Sequence, residues 1–183
     1  LVDKESIAFE AIPVQTWTRE SFVAVDSNTN SQYRFGFTGG KITNEEEQAV
    51  LDAVTSLKSK FIVASGSLNE GLSSDFYQKV AEIAKKSNSK LIVDTSGEAL
   101  KKVLETGAFL IKPNVGELAK LIGVERLEME EVNEAAKQII AKGGAEIVVV
   151  SLGPQGAVLV TKDSYEFVPA PNVAKRSTVG AGD

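Results

Sequence analysis

From about residue 43 to residue 168, stretches of helical periodicity alternate with short apolar runs, and this alternation constrains the fold more than any other feature. Strands joined through helices pair in parallel, so the pattern specifies an α/β fold around a mainly parallel sheet. Thr43 followed by Glu46 has capping-box spacing and is expected to open a helix reaching about Ser59. The expected elements after it are strand Phe61–Ala64, a helix from about Ser73 to Lys86, strand Leu91–Val93, a short helix near Glu98–Glu105 and strand Phe109–Ile111. Helices near Glu117–Ile122 and Met129–Lys142 then lead to strand Ile147–Val150, the turn Gly153-Pro154-Gln155-Gly156, and strands Ala157–Val160 and Tyr165–Val168. Upstream, Phe22–Asp26 and Gln32–Phe37 are β-prone runs separated by polar residues, which is the pattern of a hairpin.

Composition removes whole classes of chemistry. The chain has neither cysteine nor histidine, which excludes disulfides, thiolate zinc sites and Ser-His or Cys-His catalysis. Acid–base work must fall to Asp, Glu, Lys or Tyr. A formal charge of -5, from 20 basic and 25 acidic residues, argues against a nucleic-acid surface but leaves room for a local anion pocket. No apolar run nears the roughly 20 residues of a membrane span, and Leu1-Val2-Asp3-Lys4-Glu5 does not make a signal peptide, so a cytoplasmic setting without a membrane partner is expected. The chain opens on Leu1 and stops directly after a motif that usually introduces a helix, which reads as an internal piece of a longer protein.

Ligands of open α/β sheets collect at the carboxyl ends of the strands. Four polar clusters follow strand ends here: Ser65-Gly66-Ser67, Asp94-Thr95-Ser96-Gly97, Lys112-Pro113-Asn114 and Ser151-Leu152-Gly153. Asn114 and Glu117 have the spacing of a helix cap, which would satisfy orphan backbone donors, and Glu117 equally suits the water shell of a nucleotide's magnesium ion. Asp94 is either a turn residue or a second acidic contact to that shell. Ser67 suits a turn or a sugar oxygen; Lys112, fixed in direction by Pro113, suits a pocket or a solvated surface. Gly153 and Gly156 serve a turn or a close backbone approach to a nucleotide. Arg19 and Arg34 either protect a sheet edge or grip a sugar-phosphate monoester, and Trp17 is expected to pack.

The last residues, Thr178-Val179-Gly180-Ala181-Gly182-Asp183, join two glycines to a carboxylate. Such a run is a tight turn or a close helix contact, or it aims successive N–H groups at one point where a moving phosphoryl group gathers negative charge. In the second case Asp183 is placed to accept a hydroxyl proton.

Taken in order, these residues resemble the PfkB branch of the ribokinase-like carbohydrate kinases over essentially the whole chain. Thr178–Asp183 looks like the family's second signature, and Lys112-Pro113-Asn114-Val115-Gly116-Glu117 like its Asn-x-x-Glu segment. Val93–Leu100 and Val150–Ala157 add long near-matches, while Trp17-Thr18-Arg19 with Gln32-Tyr33-Arg34-Phe35 favours the members that act on fructose 6-phosphate. The resemblance implies a three-layer α/β/α fold, incomplete at both ends, with lid strands at about 14–38 and the sheet domain at about 39–183. It implies ATP-dependent phosphorylation of fructose 6-phosphate at its 1-hydroxyl, with tagatose 6-phosphate or fructose 1-phosphate as alternative substrates and a noncatalytic sugar-phosphate or nucleotide-binding module as another class.

Carried over residue by residue, Asp183 is the base and the N–H groups of Gly180, Ala181 and Gly182 form the anion hole. Glu117 and Asp94 organise magnesium; Lys112, Asn114, Ser151, Gly153, Gly156 and Thr178 surround ATP; Arg19, Arg34 and Ser67 contact the sugar phosphate. The lid of such kinases commonly forms a dimer contact, so a homodimer is implied for the longer protein. Two positions depart from the pattern: Asn69 stands where proline is usual, and Lys175 where a serine is expected near the nucleotide. The family's first Gly-Gly signature and the helix after Gly-Ala-Gly-Asp are missing, and the segment alone is expected to be inactive.

Overall fold

The computed structural model describes residues 5, 7–29 and 31–172. They divide into two compact units. Described residues up to Ser56, with Leu68–Ser73, form the first; Leu57–Ser67 and the described residues from Ser74 onward form the second.

In the first unit, strand β1 (Ser21–Val25) pairs antiparallel with β2 (Gln32–Gly36), placing Phe22 opposite Phe35 and Val23 opposite Arg34. Alternation therefore gives the hairpin one aromatic face and one face carrying Arg34. At the turn, the Asp26 carboxylate accepts the Asn28 N–H and the Thr29 hydroxyl, both at 2.8 Å, and these bonds lower its pKa, the backbone bond contributing most. Trp17 does not pack as expected: it is 92% exposed.

Helix α1 (Asn44–Ser56) has the anticipated box: the Glu46 N–H donates to Thr43 Oγ1 at 3.2 Å and the Thr43 N–H to Glu46 Oε2 at 2.8 Å. It stops at Ser56 rather than Ser59. The Thr55 and Ser56 hydroxyls donate to the Leu51 and Ala53 carbonyls at 2.8 and 2.7 Å, satisfying acceptors near the helix end.

The second unit is a six-stranded sheet. Strands β3 (Phe61–Ser65), β4 (Lys90–Asp94), β5 (Ala108–Ile111) and β6 (Ala145–Ser151) run parallel in that order. Strands β7 (Gly156–Val160) and β8 (Tyr165–Pro169) continue it antiparallel. The connecting helices are α2 (Phe76–Lys86), α3 (Gly97–Thr106), α4 (Val115–Ile122) and α5 (Val132–Ala141). Because the parallel strands advance in one direction, right-handed crossovers lay α2 to α5 on one face.

Burial agrees with that arrangement. The cross-strand row Val93, Ile111, Val148 and Val160 is fully buried, and Val80, Leu100, Val103, Leu118 and Val132 on the helices are buried as well. Each such side chain contributes about 1.5–3 kcal/mol of transfer free energy. On the other face, the row Val63, Ile92, Leu110 and Ile147 is less covered, and Val63 is 67% exposed. The fold is thus α/β with a mainly parallel sheet and antiparallel edge strands, as the alternation required.

Two helix starts differ from expectation. Helix α2 begins at Phe76, because the backbone and hydroxyl of Ser73 are drawn to Glu47 instead of entering the first turn. The stretch expected as one helix from Met129 opens with a 3₁₀ turn, Met129–Glu131, closed by a reciprocal Glu128–Glu131 box. Among the described residues no helix is long and apolar enough to cross a membrane.

Candidate active site

Parallel order brings the four polar clusters to one edge of the sheet, since β3, β4, β5 and β6 are successive neighbours and each cluster lies at a carboxyl end. Backbone bonds stitch the edge together. The Gly66 N–H donates to the Asp94 carbonyl at 2.9 Å, the Lys112 N–H to the Val93 carbonyl at 3.2 Å, and the Ser151 N–H to the Pro113 carbonyl at 3.0 Å. Asn114 also forms an isolated parallel bridge with Ser151. Ser67, Asp94, Lys112, Asn114, Glu117, Ser151 and Gly153 therefore belong to one continuous rim.

Helices α3 and α4 start at this rim, and their amino termini present N–H groups and the positive ends of their dipoles. At α4 the cap is complete: Asn114 Oδ1 accepts the Glu117 N–H at 2.9 Å, and Glu117 Oε2 accepts the Asn114 N–H at 2.9 Å. Gly97, at φ +65, takes a backbone conformation that a side chain would strain.

Lys112 Nζ lies 3.1 Å from Asp94 Oδ2, with both side chains about a third exposed. A pair so open to water contributes at most about 1 kcal/mol to stability. It places a cation beside a carboxylate at the carboxyl ends of two neighbouring strands. Among the described residues no group of three or more acidic, His or Cys side chains could hold a metal ion.

Two supporting residues escaped the sequence reading. The Tyr77 hydroxyl and Thr95 Oγ1 both donate to the Gly66 carbonyl, at 3.0 and 2.9 Å, and so hold the turn that precedes Ser67. Burial raises the Tyr77 pKa from its usual 10.0, and the charge of Asp94 raises it further. Thr95 was visible inside the Asp94-Thr95-Ser96-Gly97 cluster, but nothing local to Tyr77 marks its target.

Past the rim, the Leu152 N–H donates to the Gly156 carbonyl at 2.8 Å around the 3₁₀ turn Gly153–Gln155. Gly156, at φ +118, lies so close to Val168 that a Cβ would strike that residue's carbonyl. Gly156 is thus required by the β7–β8 pairing itself. In the first unit, Arg34 sits on β2, and the Phe37 N–H to Glu20 carbonyl bond of 3.1 Å continues the hairpin backward. The same alternation assigns Arg19 to the face that carries Arg34. Thr178, Gly180, Ala181, Gly182 and Asp183, together with Lys175, lie outside the described residues.

A cleft of about 920 Å³ opens at the opposite edge of the sheet, lined in part by Lys60, Lys90, Ala108 and Ala145, and none of the site residues expected from the sequence lines it. Its position at the strands' amino ends sets it apart from the rim.

The model of the pfkB family of carbohydrate kinases matches residues 1–183. The chain belongs to this family. A 6-phosphofructokinase isozyme 2 of Mycobacterium tuberculosis, named as ATP-dependent, is 43% identical over 100% of this chain and 54% of its own length. The enzyme of the same name from Escherichia coli K12 is 36% identical over 100% of this chain and 60% of its own. The solved Escherichia coli phosphofructokinase-2 in complex with fructose-6-phosphate superposes with a TM-score of 0.90 at 33% identity, covering 100% of this chain and 61% of that one. The pfkB chain described here thus spans between half and two thirds of the length of these relatives.

Proposed function

We propose that this chain is part of an ATP-dependent 6-phosphofructokinase, which transfers the γ-phosphoryl of ATP to the 1-hydroxyl of fructose 6-phosphate. The observation that carries the reading is the gathering of the four polar strand-end clusters on one rim, in a chain whose relatives are named for this activity. Within this chain, which contains no histidine, a carboxylate is the natural candidate for proton acceptor.

In this reading Arg19 and Arg34 hold the 6-phosphate through guanidinium forks, and Ser67 contacts the sugar. Lys112, Asn114, Ser151, Gly153, Gly156 and Thr178 surround the nucleotide. The sugar O1 attacks the γ-phosphorus, the bond from that phosphorus to the β,γ-bridging oxygen breaks, and ADP leaves with the electron pair. Asp183 takes the proton of the 1-hydroxyl. The N–H groups of Gly180, Ala181 and Gly182 meet the charge gathering on the phosphoryl oxygens. Catalysis of this kind is mainly positioning and charge stabilisation, so a carboxylate of ordinary basicity is an adequate base.

Asp94 and Glu117 suit magnesium in number, because this ion keeps several waters and takes one or two protein carboxylates. Glu117 Oε2 is held by the cap, while its Oε1 has no hydrogen-bond partner among the described residues. Bound there, the ion would neutralise phosphate charge; Asn114 would keep the Glu117 carboxylate oriented. A cytoplasmic setting suits an enzyme that draws on ATP. The aromatic face of the hairpin supports a homodimer: Phe22, Tyr33, Phe35 and Phe37 are each about half exposed, with the Phe22 and Phe35 rings stacked at 4.8 Å. A two-stranded ribbon is marginal alone and gains from covering such a face.

The test compares turnover by the full-length protein carrying this chain on fructose 6-phosphate, tagatose 6-phosphate and fructose 1-phosphate. Preference for the first is expected. Preference for either other sugar would reassign the substrate within the family, and tight binding without turnover would make it a binding module.

A further inference from the structure

Two adjacent carboxylates on α1 are buried yet unused by the chemistry above. Glu46 is 8% exposed and Glu47 is 6% exposed. Charges are rarely hidden this far without partners, and these two hold separate stretches of chain. Glu46 caps its own helix through Oε2, and its Oε1 accepts the Gln15 N–H at 2.6 Å. Glu47 instead accepts the Ser73 N–H at 2.9 Å and the Ser73 hydroxyl at 2.7 Å.

The two anchored stretches meet at a third. Thr16 fills the space that a side chain on Gly40 would need, and Gly71 lies against the Ile42 carbonyl. The Ile42 N–H donates to the Glu70 carbonyl at 2.8 Å. A Cβ built on Gly39 would have Arg19 Cβ at 3.3 Å and Asn69 Nδ2 at 3.6 Å. Arg19, four residues past the Glu46 anchor, and Asn69, four before the Glu47 anchor, thus come together over Gly39. A side chain at Gly39 would crowd Arg19 Cβ and touch the Asn69 amide.

We propose that Glu46 and Glu47 are positioning residues that clamp Arg19 and Asn69 side by side as a sugar-phosphate subsite, the Asn69 amide adding a polar contact beside the Arg19 guanidinium. This rests on the reading of Arg19 given above. Each carboxylate acts only through the segment that it holds.

The test uses the full-length protein carrying this chain, with dissociation constants for fructose 6-phosphate and for ATP measured by titration calorimetry and amide exchange followed at Gln15 and Ser73. Loss of one charge-assisted anchor is expected to weaken fructose 6-phosphate binding about ten-fold in Glu47→Ala, with ATP binding unchanged. Glu47→Gln, which keeps an acceptor oxygen, should recover most of that loss, and Ser73→Ala should fall between. Glu46→Ala should speed exchange at Gln15, and Glu47→Ala at Ser73. If Glu47→Ala fails to fold, Ser73→Ala and Glu47→Gln decide the matter. Unchanged fructose 6-phosphate binding, or equal weakening for both ligands, overturns the proposal. Binding without turnover in the unaltered protein would count against the kinase reading while leaving the clamp intact.

Discussion

Asn114 and Glu117 close a reciprocal cap, and the two sides of that cap separate structure from function. Asn114→Ala deletes the acceptor of the Glu117 N–H, a 2.9 Å bond at the start of an eight-residue helix. Such a loss costs about 1 kcal/mol, and in the full-length protein, which is longer than this chain, that lowers the melting temperature by no more than roughly 2–4 °C. Glu117→Gln leaves an oxygen that still accepts the Asn114 N–H, so the cap survives and the melting temperature should move by less than about 1 °C. What it removes is the negative charge. If Glu117 serves the nucleotide's magnesium, the glutamine variant should lose turnover and require more magnesium for half-maximal rate while remaining folded. Thermal unfolding by circular dichroism and a coupled ADP-release assay on both variants of the full-length protein give the four values. A glutamine variant with full turnover and ordinary magnesium dependence would refute the reasoning, and Glu117 would be a cap and nothing more.

Asp183→Asn removes the proposed base and should lower kcat by roughly 10²–10⁴-fold with fructose 6-phosphate binding retained, as read by steady-state kinetics and calorimetry. Gly156→Ala forces a side chain into φ +118 against the Val168 carbonyl and should destabilise the fold by more than about 1 kcal/mol in urea unfolding, with β7–β8 amides losing exchange protection. Tyr77 has a folded pKa raised above 10.0, so its contribution is complete below that pH and is lost as pH rises through the raised value. Tyr77→Phe should remove a phenolate absorbance step above pH 10 and make stability fall less steeply there.

Much of the fold was legible because its causes are local. Alternating periods specify βαβ units, and parallel pairing of their strands aligns the carboxyl ends of β3 to β6 on one edge. The cap at Asn114 was equally readable, since both partners sit within one helical turn. Features that depend on distant partners were not. Ser73 left the expected start of α2 for Glu47, 26 residues away in sequence, and no propensity signals that choice. Lys112 and Asp94 pair across two strands, so no spacing in the sequence links them. Trp17, expected to pack, is exposed, and nothing in its local sequence signals that. The convergence of Thr95 and Tyr77 on the Gly66 carbonyl likewise needs three segments brought together by the sheet.

The central claim is the transfer of phosphate to the 1-hydroxyl of fructose 6-phosphate, and the most direct measurement is phosphorus NMR of the products formed by the full-length protein from ATP and fructose 6-phosphate. The account predicts fructose 1,6-bisphosphate and ADP appearing in equal amounts. Release of ADP with inorganic phosphate instead, or no phosphorylated product on this sugar, would contradict it.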